Sequence, residues 1–128
     1  MAFKFGASSN AQLRTCKFDL QTVVERALEL SDVDFSVVEG VRSLEQQKLN
    51  VKNGVSWTLD SKHLADANGK SRAVDIYPWH NGKTDHSSDL YKKIATAMFK
   101  AAIELNVQIK WGGDWTMDYT DKPHWELC

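Results

Sequence analysis

The first sustained periodicity in the chain runs from Leu13 to Leu28. Leu13, Cys16, Leu20, Val23, Val24, Ala27 and Leu28 recur at three- and four-residue steps, the spacing of one helix face. Ser9 and Gln12 precede it at capping-box spacing, so the pattern predicts a helix over residues 9–30. Phe35-Ser36-Val37-Val38 reads as a short strand, followed by Gly40. Ser43 to about Asn53 reads as a second helix, stopped by Gly54. Residues 55–72 are polar and irregular, with Asn68-Gly69 as a turn. From Arg72 to Tyr77 the period changes to two. Val74 and Ile76 face one way, Ala73, Asp75 and Tyr77 the other, and Pro78 is expected to end that strand. Residues 79–87 read as a loop containing Asn81-Gly82.

Ser87 or Ser88 can cap a long helix whose apolar stripe is Leu90, Ile94, Ala97, Met98, Ala101 and Leu105. Val107, Ile109 and Trp111 then alternate as a strand, and Gly112-Gly113 turns the chain. In a final short strand His124 and Glu126 share one face, Trp125 and Leu127 the other. Helices and strands are mixed without a regular βαβ repeat. The expected class is therefore α+β, a single domain over residues 1–128 with a small, mostly antiparallel sheet packed against helices.

Composition narrows the function classes. A net charge of −1 gives no electrostatic case for nucleic acid. No apolar run approaches the ~18 residues of a membrane span. The start, Met-Ala-Phe-Lys-Phe-Gly, has no apolar signal-peptide core, so synthesis and initial residence in the cytoplasm are expected. Cys16 and Cys128 lack the spacing of a disulfide framework or a structural zinc site and are read as free thiols. His80 and His86 lie in a polar loop and are expected to be exposed.

The candidate chemistry lies in His63, Asp75 and His124. Two imidazoles and one carboxylate are what a catalytic zinc takes from a protein, with a fourth position left for water. Asp75 stands mid-strand among apolar neighbours, where a carboxylate needs a counter-charge or a metal. Taken singly, each also fits an ordinary surface or loop role, and periodicity cannot bring the three together.

The settings of these residues match a known pattern. Ser61-x-His63, Ala73-Val74-Asp75 and Asp121-x-x-His124 resemble the LAS-type zinc peptidases. That group includes D-alanyl-D-alanine carboxypeptidases and the L-alanyl-D-glutamate endopeptidases of bacteriophages. Phe3-Lys4-Phe5-Gly6, Gly40-Val41-Arg42-Ser43-x-x-x-Gln47 and Gly113-Asp114-Trp115 are similar to the phage endolysin branch, and the similarity covers nearly the whole chain. Two departures stand out. His63 and Asp75 are twelve apart where the family usually has seven, which predicts a loop insertion around Asp66–Lys70, and Ser71 replaces a usual Gly.

The resemblance implies a fold like that of the hedgehog and DD-peptidase domains. It implies zinc on His63, Asp75 and His124, with Asp121 as general base and then acid. Asp118 and Glu126 compete with Asp121 for that role, and Glu126 also fits as a partner of a metal ligand. Arg42 would polarise the scissile carbonyl or hold a substrate carboxylate. Ser61, Gln46, Gln47 and Trp111 would contact substrate, although Gln46 also fits a capping box with Ser43, and Trp111 and Trp115 fit core packing equally well. The expected activity is hydrolysis of the L-alanyl-D-glutamate bond of peptidoglycan by a monomeric endolysin. A holin would release it from the cytoplasm to the thin wall of a Gram-negative host, without membrane insertion. The alternatives are a D-alanyl-D-alanine carboxypeptidase on the same scaffold, a non-catalytic zinc-binding module, and, disfavoured by charge, a zinc nuclease.

Overall fold

The apolar stripe at the start of the chain is carried by two helices, α1 (Ala7–Leu13) and α2 (Phe18–Leu30), rather than one. The break has a local cause. The Ser71 N–H donates to the Thr15 carbonyl at 2.9 Å, and the Lys17 N–H donates to the Ser71 carbonyl at 2.8 Å. Backbone groups engaged there cannot also serve an i→i−4 ladder. Between them Cys16 is fully buried, and burial pushes its thiol up to about 12. Cys16 and Cys128 are both free thiols.

In this computed structural model, residues 3–54, 61–114 and 121–128 are described. After α2 come β1 (Asp34–Glu39), α3 (Leu44–Lys52), β2 (Ala73–His80), β3 (Lys83–Thr84), α4 (Ser88–Leu105), β4 (Ile109–Trp111), a 3₁₀ turn over Gly112–Asp114, and β5 (His124–Leu127). The sheet order is β1-β2-β5-β4, with β3 paired to β2. Every strand ladder among the described residues is antiparallel. The α+β expectation holds.

Ser9 lies inside α1 and does not cap it. Its hydroxyl accepts the Val37 N–H at 3.1 Å, Gln12 Oε1 accepts from Gly40 at 3.2 Å, and Thr15 Oγ1 accepts from Val41 at 2.8 Å. Polar side chains three residues apart thus cover the outer edge of β1, which would otherwise present unpaired donors. Ser43 does cap α3, accepting from the Gln46 N–H at 3.1 Å, and Ser87 caps α4.

Pro78 does not end β2. It sits inside the strand opposite Phe35. Its carbonyl points to the β3 side, accepting the Asp85 N–H at 3.0 Å. The N–H that proline lacks would point the same way, so the ladder to β1 loses nothing. Asn81 and Gly82 have φ of 54° and 79°, a two-residue hairpin turn. The expected loop at 79–87 therefore begins as a β-hairpin.

Val74 and Ile76 of β2 join Phe35, Val37, Trp125, Leu20, Val24, Ile94 and Met98 in the core, all at most 2% exposed. The other face of β2 carries Asp75, Tyr77 and Trp79. Register places Asp75 directly opposite His124, and Ala73 opposite Glu126. Cross-strand partners project from the same face, so two candidate ligands meet because β2 and β5 pair in this register.

Gly40 is where α1, β1 and the site touch. A Cβ there would lie 2.1 Å from Thr15 Oγ1 and 2.4 Å from the Gln12 carbonyl oxygen. Gly40→Ala should therefore lower stability by about 1–3 kcal/mol, the usual cost of overpacking. Calorimetric melting checks this, and an unchanged melting temperature would contradict the packing described.

Candidate metal centre

His63 reaches the Asp75–His124 pair from a loop held on both sides. The Arg42 N–H donates to the His63 carbonyl at 2.7 Å, and the His63 N–H donates to Ser61 Oγ at 3.2 Å. The twelve-residue separation from Asp75 is absorbed by a closed excursion. The Arg72 N–H bonds the Lys62 carbonyl at 3.0 Å, so the extra residues leave and return at one point. Asp66 organises their turn, accepting from Asn68 and Lys70 at 2.8 and 3.0 Å. Ser71 is fully buried, and its hydroxyl donates to the Ala73 carbonyl at 2.6 Å.

The three side chains converge on one point. His63 Nε2 is 3.1 Å from Asp75 Oδ1 and 3.2 Å from His124 Nδ1; His124 Nδ1 is 3.4 Å from Asp75 Oδ1. A tetrahedral cation with bonds of ~2.0–2.1 Å holds its donors ~3.3–3.4 Å apart. The three atoms are spaced as one face of such a tetrahedron.

The remaining ring nitrogens fix the tautomers. His63 Nδ1 bonds the Gly40 carbonyl at 2.8 Å. A carbonyl only accepts, so Nδ1 carries the proton and Nε2 presents its lone pair. His124 Nε2 bonds Glu126 Oε1 at 2.8 Å, leaving Nδ1 for a metal. Lys62 anchors Glu126 in turn, at 2.9 Å from Oε2. Partners of this kind orient metal-binding imidazoles and raise their basicity.

Electrostatics agree with a cation site. Burial pushes the Asp75 carboxyl up, but the His124 and His63 imidazoles beside it outweigh burial and hold the group well below the usual carboxylate range. Burial pushes His124 down, yet hydrogen bonds to Asp75 and Glu126 raise it to about 9. Glu126 falls to about 2, through its bond to His124 and, against some burial, its bond to Lys62. Without a metal, a proton on His124 therefore supplies the positive charge the cluster demands.

Asp121 stands beside this cluster. Gly112 fixes its position: the Asp121 N–H bonds the Gly112 carbonyl at 2.9 Å, and the Asp121 carbonyl oxygen would lie 2.1 Å from any Cβ on Gly112. The Trp111 indole N–H holds the next residue through the Lys122 carbonyl at 2.7 Å. Burial raises the Asp121 carboxyl, and the Asp75 charge raises it further against His124, His63 and Arg42. A candidate metal site with a carboxylate of raised basicity beside it is an arrangement that can carry out hydrolysis.

The family model for "Phage L-alanyl-D-glutamate peptidase" matches residues 1–127. The chain belongs to this family. It is 39% identical over 128 residues to the L-alanyl-D-glutamate peptidase of Escherichia phage T5, covering 95% of this chain and 90% of that one. It is 32% identical over 100 residues to the L-alanyl-D-glutamate peptidase of Listeria phage A118, covering 75% of this chain and 31% of that longer protein. The crystal structure of the Serratia marcescens L-Ala D-Glu endopeptidase ChiX superposes with a TM-score of 0.87 at 37% identity, covering 98% of this chain and 90% of that one.

Within this peptidase the other expected residues have varied positions. Arg42 lies near the cluster, its Nη1 donating to Gln47 Oε1 at 2.6 Å and its Nη2 paired with Glu39. Among the described residues its Nε is buried without a hydrogen-bond partner. Gln47, expected at the substrate, is instead fully buried as a support for Arg42. Gln46 is exposed and bonds Asn50 one turn on. Trp111, expected to line the cleft, packs in the core, stacked on Trp125 at 5.5 Å. Ser61 is half-buried, turning the backbone into His63. Asp118 and Trp115 lie outside the described residues. His80 and His86 are exposed as expected, but His86 Nδ1 also bonds the buried Tyr91 hydroxyl at 2.6 Å.

Sequence reasoning missed Glu39, Lys62 and the Gly40 carbonyl. Glu39 and Lys62 look like ordinary surface charges in sequence, and a carbonyl has no sequence signature. Glu126 was visible, because it shares a strand face with His124.

Two outcomes are expected. Metal affinity should fall with pH by about tenfold per unit below about 9, because the cation must displace the His124 proton. Chelator competition from pH 6 to 8 reads this slope, and a flat profile would refute it. Glu126→Gln should weaken metal binding by about 10–100-fold at fixed pH, the usual cost of losing an outer partner, as read by the same chelator competition.

Proposed function

We propose that the chain hydrolyses the L-alanyl-D-glutamate bond of peptidoglycan stem peptides, with zinc held by His63, Asp75 and His124, and that it serves as a phage endolysin. The observation that carries this reading is the donor triangle of 3.1, 3.2 and 3.4 Å with Asp121 beside it, in a chain of the phage peptidase family. Two imidazoles and a carboxylate suit zinc, which when bound would polarise the scissile carbonyl and acidify the attacking water.

The chain's own groups do the rest. Asp121 is the general base and then the acid. It takes a proton from the water that attacks the L-alanyl carbonyl carbon. As the C–N bond breaks, it returns that proton to the departing amine of D-glutamate. Its raised pKa fits this exchange, because the proton must be accepted and then released. Arg42 supplies a fixed positive charge toward the carbonyl oxygen or a substrate carboxylate, with Gln47 and Glu39 holding its orientation. Ser61 and Gln46 border the substrate.

No helix of the described residues is long and apolar enough to cross a membrane. In this reading a partner such as a holin releases the chain to the wall, and the chain acts as a monomer.

Asp121→Asn should lower cleavage of purified peptidoglycan by at least about 100-fold, the scale of general acid–base catalysis, while bound zinc stays near one per chain. Loss of zinc instead would make Asp121 a ligand. Mass spectrometry of the digest identifies the bond: a new L-alanine carboxyl end supports this reading, and released D-alanine would replace it with carboxypeptidase activity.

A further inference from the structure

The β2 face that carries Asp75 continues away from the metal centre. Tyr77 and Trp79 follow Asp75 at two-residue steps, and Trp79 is 41% exposed. On β1, Ser36 lies opposite Tyr77, and Asp34 opposite Trp79. Four residues of strand put Trp79 ~13 Å from Asp75. The His86 ring stands edge-on to Tyr77 at 4.7 Å between ring centres and is anchored by the buried Tyr91 hydroxyl at 2.6 Å. The surface between site and Trp79 is therefore braced.

At its far end lies a cavity of about 330 Å³, lined by Trp79, Asp34, Ser36, Ser8 and Lys4. That volume is at the lower end of ligand-sized cavities. Its lining combines one exposed aromatic face, backed by Phe5 and Phe35, with a carboxylate, three serine hydroxyls (Ser8, Ser9 and Ser36) and an ammonium. Asp34 gives one lone pair of Oδ1 to the Phe35 N–H at 2.8 Å, and the carboxylate keeps others free to accept. Lys4 and Asp34 cancel in charge. A stem peptide is rich in carboxylates and would call for a cationic lining. A neutral pyranose ring fits better, its C–H face on the indole and its hydroxyls and acetamido group meeting donors and acceptors at the rim.

We propose that this cavity is a subsite for a sugar of the glycan strand, the N-acetylmuramyl ring whose lactyl group bears the stem's L-alanine. The inference rests on the peptidase reading of the metal centre. It deepens that reading by making the glycan-linked stem, rather than the free peptide, the preferred substrate. One alanine, the lactyl ether and a ring width bridge the separation between the centre and Trp79.

The test compares the zinc-loaded enzyme on two substrates of identical stem, one with its disaccharide attached and one stripped of sugar. Wild type should cleave the glycan-linked stem with kcat/KM about tenfold higher. Trp79→Ala should abolish that advantage through KM, leaving the rate on the free peptide unchanged, and Trp79→Phe should restore part of it. Equal rates on both substrates in wild type, or an equal loss on both in Trp79→Ala, would overturn the proposal; the latter would give the cavity to the peptide. Calorimetric titration with the peptide-free disaccharide separates the two readings. Saturable binding that Trp79→Ala removes supports the subsite even if neither substrate is cleaved, and no binding by wild type overturns it.

Discussion

Asp75 and His124 face one another across β2 and β5, and the site is built outward from that register. A slip of one residue would turn Asp75 into the core and Val74 toward the metal. The slip is opposed by the apolar side of the same pairing, where Val74 lies opposite Trp125 and Trp125 stacks on Trp111. Core packing and ligand geometry are two faces of one ladder. The third candidate ligand, His63, is added by backbone bonds from Arg42 and Arg72, which fix the loop around it regardless of the length of the excursion that follows.

Charge explains why the neighbours take the form they do. A half-buried carboxylate against two imidazoles needs a net positive partner, since an uncompensated buried charge costs several kcal/mol. His124 meets that need with a proton, and a divalent cation meets it more fully. Glu126 and Lys62 then extend a line of alternating charge from the centre to the protein surface. Glu39 and Arg42 form a second such pair on the opposite side. Among the described residues Asp121 has no salt-bridge partner, and its raised basicity follows from burial and from Asp75.

The same face of the sheet ties the metal centre to the Trp79 cavity. Antiparallel pairing aligns Ser36 with Tyr77 and Asp34 with Trp79, so one continuous face runs from the candidate metal centre along the strand pair. α1 guards the edge of β1 with Ser9, Gln12 and Thr15, while residues just before it line the cavity. The N-terminal segment is thus part of the site's architecture.

Much of this was present in local pattern. Hydrophobic period gave α4, β1, β4 and β5 and the two-sided character of β2, because side-chain direction follows from helix and strand geometry alone. The motifs around His63, Asp75, Asp121 and His124 marked the chemistry through their resemblance to the zinc peptidases. Local pattern failed where a distant segment competes for the backbone. Ser71 splits the expected 9–30 helix into two, the β3 side takes the Pro78 carbonyl, and α1 turns Ser9 from cap to edge cover. It failed also for residues whose role lies in what they hold. Gln47 behind Arg42 and Trp111 behind Lys122 look like surface or cleft residues until packing places them. The sequence by itself determined which side chains are candidates for the chemistry and which positions are apolar. Only the tertiary structure decided that three candidate donors, sixty-one residues apart from His63 to His124, stand within 3.4 Å of one another, because that depends on strand register and loop closure, which no local period encodes.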